Sequence, residues 1–533
     1  MKMTVSQAMV ECLKAENVKV VFGYPGAAIC PFYDALLDAE NDIRHVLVRQ
    51  EANGGHAANG YARISGKPAV CIATSGPGAT NLITAIATAY ADSIPIVCIT
   101  GQVNTDQIGS DVFQEADVKH SYLLKNPEDT ARVFKEAFYI AGTGRPGPVL
   151  IDIPMDVQKA VIDFEYPEKC EIRSYKPTTK GNYVQVRRVM AALEEAEKPL
   201  ICIGGGVFAA HAENEIRELA DLMQIPVITT MMGISVFPDD DQLFCGMIGT
   251  HGVKMANAAV NECDVLFLVG ARVGDRAVKT PLALEKTTKI IHIDIDPAEI
   301  GKNIGADLPL VGDAKLVLQQ MTELAKPMKH DEWIAHIKTL GGERKYVEPA
   351  KGTVNPRVFI DRLAKKMPAN VTVVADVGQN QIWTCTEYKF RKEGRLLTSG
   401  GMGTMGYSVP AAIGAKMADN SRATVAICGD GAFQMSFMEL ATAVQFGVDI
   451  KVVVMTNNRL GMVRELQTNG YHDRQTAVFL DGSPDFIKLA EAYGIPAMRV
   501  YDDDTMEKGV EMLAEHKGIC LVEVVVDKDM PTL

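Results

Sequence analysis

Between Val425 and Asn458 the chain reads VAICGDGAFQMSFMELATAVQFGVDIKVVVMTNN, and no other stretch limits the fold as much. The apolar run at 425–428 has the length of a buried strand and stops at Gly429-Asp430-Gly431. Phe433, Phe437, Leu440, Ala441 and Val444 then recur at spacings of three and four, which predicts one amphipathic helix. A second apolar run at 451–455 ends at Asn457-Asn458. Strand, helix and strand in this order make a βαβ unit with parallel strands. Asp430 and Asn457, 27 residues apart, therefore leave the carboxyl edge of one sheet, where open α/β proteins bind ligands. A carboxylate and an amide oxygen are hard ligands suited to Mg²⁺, an ion commonly shared with a phosphate. The glycines and the helix start bring free N–H groups to an anion. A Gly-Asp-Gly turn alone is common; its place in the βαβ unit makes the pattern specific.

At 533 residues the chain is too long for one core, and two to four domains are expected. A hydrophobic share of 47%, 23% charged residues and 45 glycines fit a protein rich in tight βα turns. The formal charge of −13 argues against a nucleic-acid or anionic-membrane surface. No apolar run approaches the roughly 20 residues of a membrane span. The amino terminus goes directly into an amphipathic helix at 5–13, without the pattern of a secretion signal. Eleven scattered cysteines, with no CxxC pair and no metal-ligand spacing, point to a reduced, cytoplasmic protein. Cys71, Cys98 and Cys428 fall in strand-like runs and read as small core residues.

The rest of the chain alternates strand and helix, which predicts parallel, doubly wound α/β sheets in three units, 1–165, 183–345 and 355–533. In the first, strands at 18–22, 44–48, 69–73, 94–100 and 148–153 end in Gly23-Tyr-Pro-Gly26-Ala27, Arg49-Gln-Glu51, Thr74-Ser-Gly-Pro-Gly, Gly101-Gln102 and Pro154. Small-residue helices at 54–63 and 81–90 separate them. Glu51, at a strand end, reads by itself more often as a solvated helix-start carboxylate than as a catalytic group. In the middle unit a strand at 199–203 ends in Gly204-Gly205-Gly206, a weak dinucleotide signal without the full G-x-G-x-x-G form. The first and third units share a rhythm that the middle one lacks.

The GDG…N spacing resembles the thiamine diphosphate (ThDP) motif. Over nearly its whole length the chain resembles the catalytic subunits of the acetohydroxyacid (acetolactate) synthase family, a pyruvate-oxidase-like branch of ThDP enzymes. The resemblance rests on Thr74-Ser-Gly-Pro-Gly-Ala-Thr-Asn81, Thr100-Gly-Gln-Val103, Asp111-Val-Phe-Gln-Glu-Ala-Asp117, Gly144-Arg-Pro-Gly-Pro-Val149, Gly249-Thr-His-Gly252, Gly270-Ala-Arg272, Gly400-Gly-Met-Gly-Thr-Met-Gly-Tyr407 and Gly461-Met-Val-Arg464. It implies pyrimidine-binding, central FAD-type and pyrophosphate/Mg²⁺-binding domains, with active sites between subunits of a homodimer or homotetramer. The implied reaction decarboxylates pyruvate and joins the fragment to a second 2-keto acid, giving 2-acetolactate, with a non-redox FAD. A small regulatory subunit is a further implied partner.

Residue by residue, the resemblance makes Glu51 the activator of ThDP and places Gly26, Ala27, Phe113 and Gln114 around the reacting carbons. It assigns Asp430, Asn457 and the backbone of Arg459 to Mg²⁺. Val377, Gly378, Gln379, Asn380, Gly403, Met405, Gly431, Ala432, Gly461 and Met462 fall to the ThDP site, Met405 supporting its bent form. FAD falls to Arg145, Gly204 to Gly206, His251, Arg272, Asp294 and Asp313. The chain departs from the family where Met155 replaces a lysine, Leu466 replaces a tryptophan that shapes the acceptor pocket, and Gln50 replaces a histidine. Asn380 also stands where a histidine is usual, and the segment after Asp117 is shorter. These departures keep a related ThDP decarboxylase or carboligase with another substrate open. A nicotinamide-dependent oxidoreductase or a noncatalytic flavin binder fits worse, because the dinucleotide fingerprint is incomplete and the Asp430/Asn457 pair is intact.

Overall fold

The computed structural model describes residues 1–102, 104–105, 120–274, 276–278, 280–342 and 346–533. Three six-stranded parallel sheets follow one another along the chain. The first runs Arg44–Leu47, Val20–Gly23, Ala69–Ala73, Ile96–Gln102, Val149–Pro154, His120–Leu123 from edge to edge. The third runs Arg395–Thr398, Thr372–Ala375, Thr424–Gly429, Lys451–Thr456, Cys520–Val525, Ala497–Val500. Numbered along the chain, both have the order 2-1-3-4-6-5. The middle sheet runs Phe244–Met247, Val227–Thr229, Pro199–Ile203, Val265–Val269, Lys289–Asp294, Leu308–Val311. Its order, 3-2-1-4-5-6, is that of dinucleotide-binding sheets. The α/β reading holds for all three units, and the middle one differs in topology from its flanks.

Each sheet is covered on both faces, so its inner strands read as continuous apolar runs. In the first sheet Val70, Ile72, Val97 and Ile99 enter one core, while Cys71, Cys98, Phe22 and Val46 enter the other. Cys428 is likewise fully buried in the third sheet. Among the strands that sequence periodicity missed, His120–Leu123, Phe244–Met247 and Leu308–Val311 are short edge strands, whereas Cys520–Val525 is a buried inner strand of the third sheet. Leu308–Val311 carries Pro309, which an edge tolerates because no ladder N–H is needed there.

One expected helix is broken. The residues after Gly429 form a single turn, Asp430–Phe433, then a second helix, Glu439–Phe446. The intervening turns, with Gln434 N–H on Asp430 O and Glu439 N–H on Ser436 O, reset the helical phase. Leu440 and Ala443 consequently face the core, whereas Val444 is exposed.

Helix Glu51–Ser65 of the first unit lies against helix Ser408–Ala418 of the third with almost nothing between their backbones. A Cβ added at Gly60 falls 2.0 Å from the Ala411 carbonyl oxygen, and one at Gly414 falls 1.8 Å from that of Ala57. At one flank Arg63 pairs with the buried Asp92 at 2.6 Å, and Asp92 accepts the Gly401 N–H at 2.7 Å. Tyr407 donates to Asn59 Oδ1 at 2.9 Å across the same seam. Among the described residues no helix is long and apolar enough to cross a membrane.

Replacing Gly414 by Ala favours the helix intrinsically but forces the two backbones apart. Gly414→Ala is expected to lose about 2–3 kcal/mol of stability, read as a lower thermal midpoint of the full-length protein.

Candidate active site

The third sheet reverses its winding between Thr372–Ala375 and Thr424–Gly429, and the sequence-expected cofactor residues gather at the carboxyl ends of those strands and of Lys451–Thr456. Asp430 is 2% exposed. Its Oδ2 accepts the backbone N–H of Asn457 at 3.0 Å and of Asn458 at 2.6 Å, and its Oδ1 accepts that of Gly431 at 2.8 Å. Burial nevertheless pushes its pKa up to about 6, because three neutral donors only partly replace lost hydration. Arg459 N–H donates to Asn457 Oδ1 at 3.0 Å, and Asn457 Nδ2 donates to Gln379 Oε1 at 3.3 Å. Asn458 holds φ +53°, turning the chain so that neighbouring N–H groups converge on Asp430.

This donor set suits a hard divalent cation: one carboxylate that gains from a nearby positive charge, an amide oxygen and a backbone carbonyl. Among the described residues no group of three or more His, Cys, Asp or Glu could hold a metal. A cation here would complete its shell with phosphate oxygens or water.

The wall around Asp430 depends on Asp376, to which no sequence motif gave a role. Asp376 ends strand Thr372–Ala375, is 0% exposed, and accepts N–H groups from Val377 at 2.9 Å, Gly406 at 2.9 Å and Ser408 at 2.8 Å. It pins the loop that carries Gly403 and Met405, and a Cβ on Gly431 would lie 3.5 Å from Met405 Cε. A charge directly after an apolar strand at a reversal point was the available signal. Gln379 and Asn380 open helix Gln379–Glu387. Gln379 Nε2 is held by Met530 O at 2.9 Å and Thr532 Oγ1 at 3.1 Å. Asn380 Nδ2 donates to Asp376 O and Ile427 O, tying the two strand ends together. Gly461 and Met462 begin helix Gly461–Gly470, and Ala432 is buried in the Asp430–Phe433 turn.

In the first sheet Glu51 is the first residue of its helix, and its Oε2 accepts from Asn81 Nδ2 at 2.9 Å. Asn81, quoted above only as part of a motif, is thus a direct partner of the proposed activator. Gly26 sits against Thr74: a Cβ there would be 2.5 Å from that of Thr74, so the loop carrying Ala27 can approach Thr74 only with glycine at this position. Met155 opens helix Met155–Lys159 at the carboxyl end of strand Val149–Pro154, the same edge. Phe113 and Gln114 lie outside the described residues. Among the described residues no hydrogen bond joins the Glu51 cluster to the Asp430 cluster.

A cavity of about 860 Å³ opens between the three units. All the residues expected at a flavin line it: Arg145, Gly204, Gly205, Gly206, His251, Arg272, Asp294 and Asp313, joined by Val377, Gly403 and Met462 of the third unit. Its floor is the reversal point of the middle sheet, where a Cβ on Gly204 would strike Gly270 O at 2.1 Å. Burial raises the pKa of Asp294, and Arg145 bridges the units through Asp296 at 3.2 Å and Glu299 at 2.7 Å.

Family models of thiamine pyrophosphate enzymes match the N-terminal TPP binding domain over residues 3–121, the central domain over 186–321 and the C-terminal TPP binding domain over 376–524. Fold and site together define a ThDP-type enzyme. The chain is 44% identical to a probable acetolactate synthase large subunit of Methanocaldococcus jannaschii, over 98% of this chain and 92% of that protein. It is 43% identical to the acetolactate synthase large subunit of Corynebacterium glutamicum, over 94% and 83%, and 42% identical to an acetolactate synthase of Arthrospira platensis, over 99% and 95%. The chain belongs to the acetolactate synthase large-subunit family.

The buried charge on Asp430 has a cost in the metal-free protein. Because its pKa is raised on folding, that cost is absent at low pH, where both folded and unfolded forms are protonated, and is complete above pH 6. Relative to Asp430→Asn, whose lost acceptor is a pH-independent cost, the metal-free parent is expected to gain up to about 3 kcal/mol as pH falls from above about 6 toward 4. Thermal melts in chelator across this range, repeated with Mg²⁺ and ThDP to remove the pH dependence, make the test.

Proposed function

We propose that this protein forms 2-acetolactate from two molecules of pyruvate with loss of carbon dioxide. In a chain of this family, the observation that carries the proposal is the convergence of a buried, charge-seeking Asp430 with Asn457 and the Gly429–Gly431 turn at one sheet reversal. ThDP, when bound, supplies the carbon nucleophile and the electron sink that this chemistry needs. Asp430, Asn457 Oδ1 and the Arg459 carbonyl would hold Mg²⁺, with Val377, Gly378, Gln379, Asn380, Gly431, Ala432, Gly461 and Met462 shaping the diphosphate end. Met405, braced by the Asp376-pinned loop, would support the bent cofactor, and Glu51, held by Asn81, would exchange a proton with its pyrimidine ring. The region of Gly26 and Ala27 would seat the keto acid and keep water from it.

The cavity between the units would take FAD as a structural group: its volume suits a large ligand, and its glycines let the backbone approach a pyrophosphate. Met402, Met435, Val463, Leu466 and Phe479 are exposed around the third-unit cluster, an apolar surface that a second copy would cover in a homodimer or homotetramer. A small regulatory partner is inferred from the words "large subunit" in the relatives' names. Eleven unpaired cysteines support a reducing, cytoplasmic setting. Leu466, 61% exposed on helix Gly461–Gly470, stands where the family resemblance implies a tryptophan and would leave the acceptor side more open.

Purified protein with ThDP, Mg²⁺, FAD and pyruvate is expected to yield acetolactate, and Glu51→Gln to lower that rate by about a hundredfold or more. Acetaldehyde alone would instead mark a decarboxylase, and no turnover despite ThDP binding would refute the synthase reading. Leu466→Trp is expected to shift preference toward the larger acceptor 2-ketobutyrate by roughly tenfold, measured by competition between the two acceptors.

A further inference from the structure

Among the buried carboxylates outside the expected cofactor ligands, Glu439 reaches from the third unit to the turn that opens the Glu51 helix. Glu439, 0% exposed, starts helix Glu439–Phe446 in the third unit. Its Oε1 accepts the backbone N–H of Arg49 at 2.9 Å and the side-chain amide of Asn53 at 3.0 Å, both in the first unit. Its Oε2 accepts from Thr442 Oγ1 at 2.6 Å. Arg49 and Asn53 stand two residues before and two after Glu51, so this single carboxylate brackets the turn that presents Glu51.

The helix Glu51–Ser65 has Gln50 at its N-cap, with no side-chain cap hydrogen bond. A helix start left uncapped frays, since its first N–H groups lack partners. Glu439 supplies from another unit an anion close to that helix start, where the helix dipole favours one. Around it Arg49 Nη2 donates to Gln445 Oε1 at 2.6 Å, and Thr442 Oγ1 lies 3.3 Å from Leu47 O. We propose that Glu439 is a positioning residue for Glu51, fixing the strand-to-helix turn so that the Glu51 carboxylate meets the cofactor ring at a set place. This rests on the role given to Glu51 above. It also means that the segment carrying the expected metal ligand Asp430 continues, nine residues later, into the brace of the activator.

The test uses the full-length protein and Glu439→Gln, which keeps shape and one acceptor but loses the charge and the second acceptor. In cofactor-free protein, amide hydrogen exchange is expected to rise about tenfold or more in the segment 49–54 while the sheets stay protected. In protein loaded with ThDP and Mg²⁺, exchange of the thiazolium C2 proton is expected to slow about tenfold, with cofactor affinity changed less than about threefold. In a Glu51→Gln background the same substitution should slow it no further, because it acts through Glu51. Equal slowing in both backgrounds, or unchanged exchange at 49–54, would overturn the proposal. Should Glu439→Gln not fold, Asn53→Ala removes one of the two first-unit donors and is expected to slow C2 exchange about threefold; no change would overturn the proposal equally. If Glu51→Gln alone left C2 exchange untouched, the role of Glu51 itself would be refuted, while amide exchange would still show whether Glu439 holds the turn.

Discussion

The approach of Gly60 to the Ala411 carbonyl and of Gly414 to the Ala57 carbonyl sets how closely the two similar units pack. The helices come this close only because each carries a glycine where the other presents a backbone carbonyl, and a single methyl group there would collide with that oxygen at about 2 Å. One of these helices begins at Glu51; the other begins two residues after Gly406, on the loop that carries Met405. Their packing therefore sets both the placement of the activator turn and that of the loop supporting the cofactor. The Arg63–Asp92 pair and the Asn59–Tyr407 hydrogen bond lock the same seam from the side.

Buried carboxylates recur around this seam with two different uses. Asp376 and Glu439 are satisfied by N–H and hydroxyl donors, and each holds a loop or turn in place. Burial raises the pKa of all three carboxylates. Asp430 differs in its neighbour: it holds the backbone of Asn457, whose side-chain oxygen would join it at a hard cation.

Much of this was legible in the residues. The glycine-bounded turn with Asp430 and the Asn457 beyond the next strand fixed a shared sheet edge, because parallel strands joined by a helix must end on the same side. The residues expected at a flavin meet in one cavity: those from Gly204 to Asp313 lie at or just after strand ends of the middle sheet, and Arg145 reaches it from the loop before Val149–Pro154. Local pattern failed where tertiary structure overrode it. The periodicity from Phe433 to Val444 suggested one helix, whereas the turns at 434–438 break it and leave Val444 exposed. Short edge strands such as His120–Leu123 carry too little apolar alternation to be distinguished from loops.

The sequence by itself determined the three α/β units, the family, and the strand ends at which chemistry is placed, since these depend on periodicity, glycine turns and spacing along one chain. Only the tertiary structure decided which carboxylates matter beyond them. An Asp after a strand or a Glu at a helix start looks solvated in sequence. Asp376, Asn81 and Glu439 gain their roles from partners 30 to 390 residues away, brought within 3 Å by packing that no local pattern encodes.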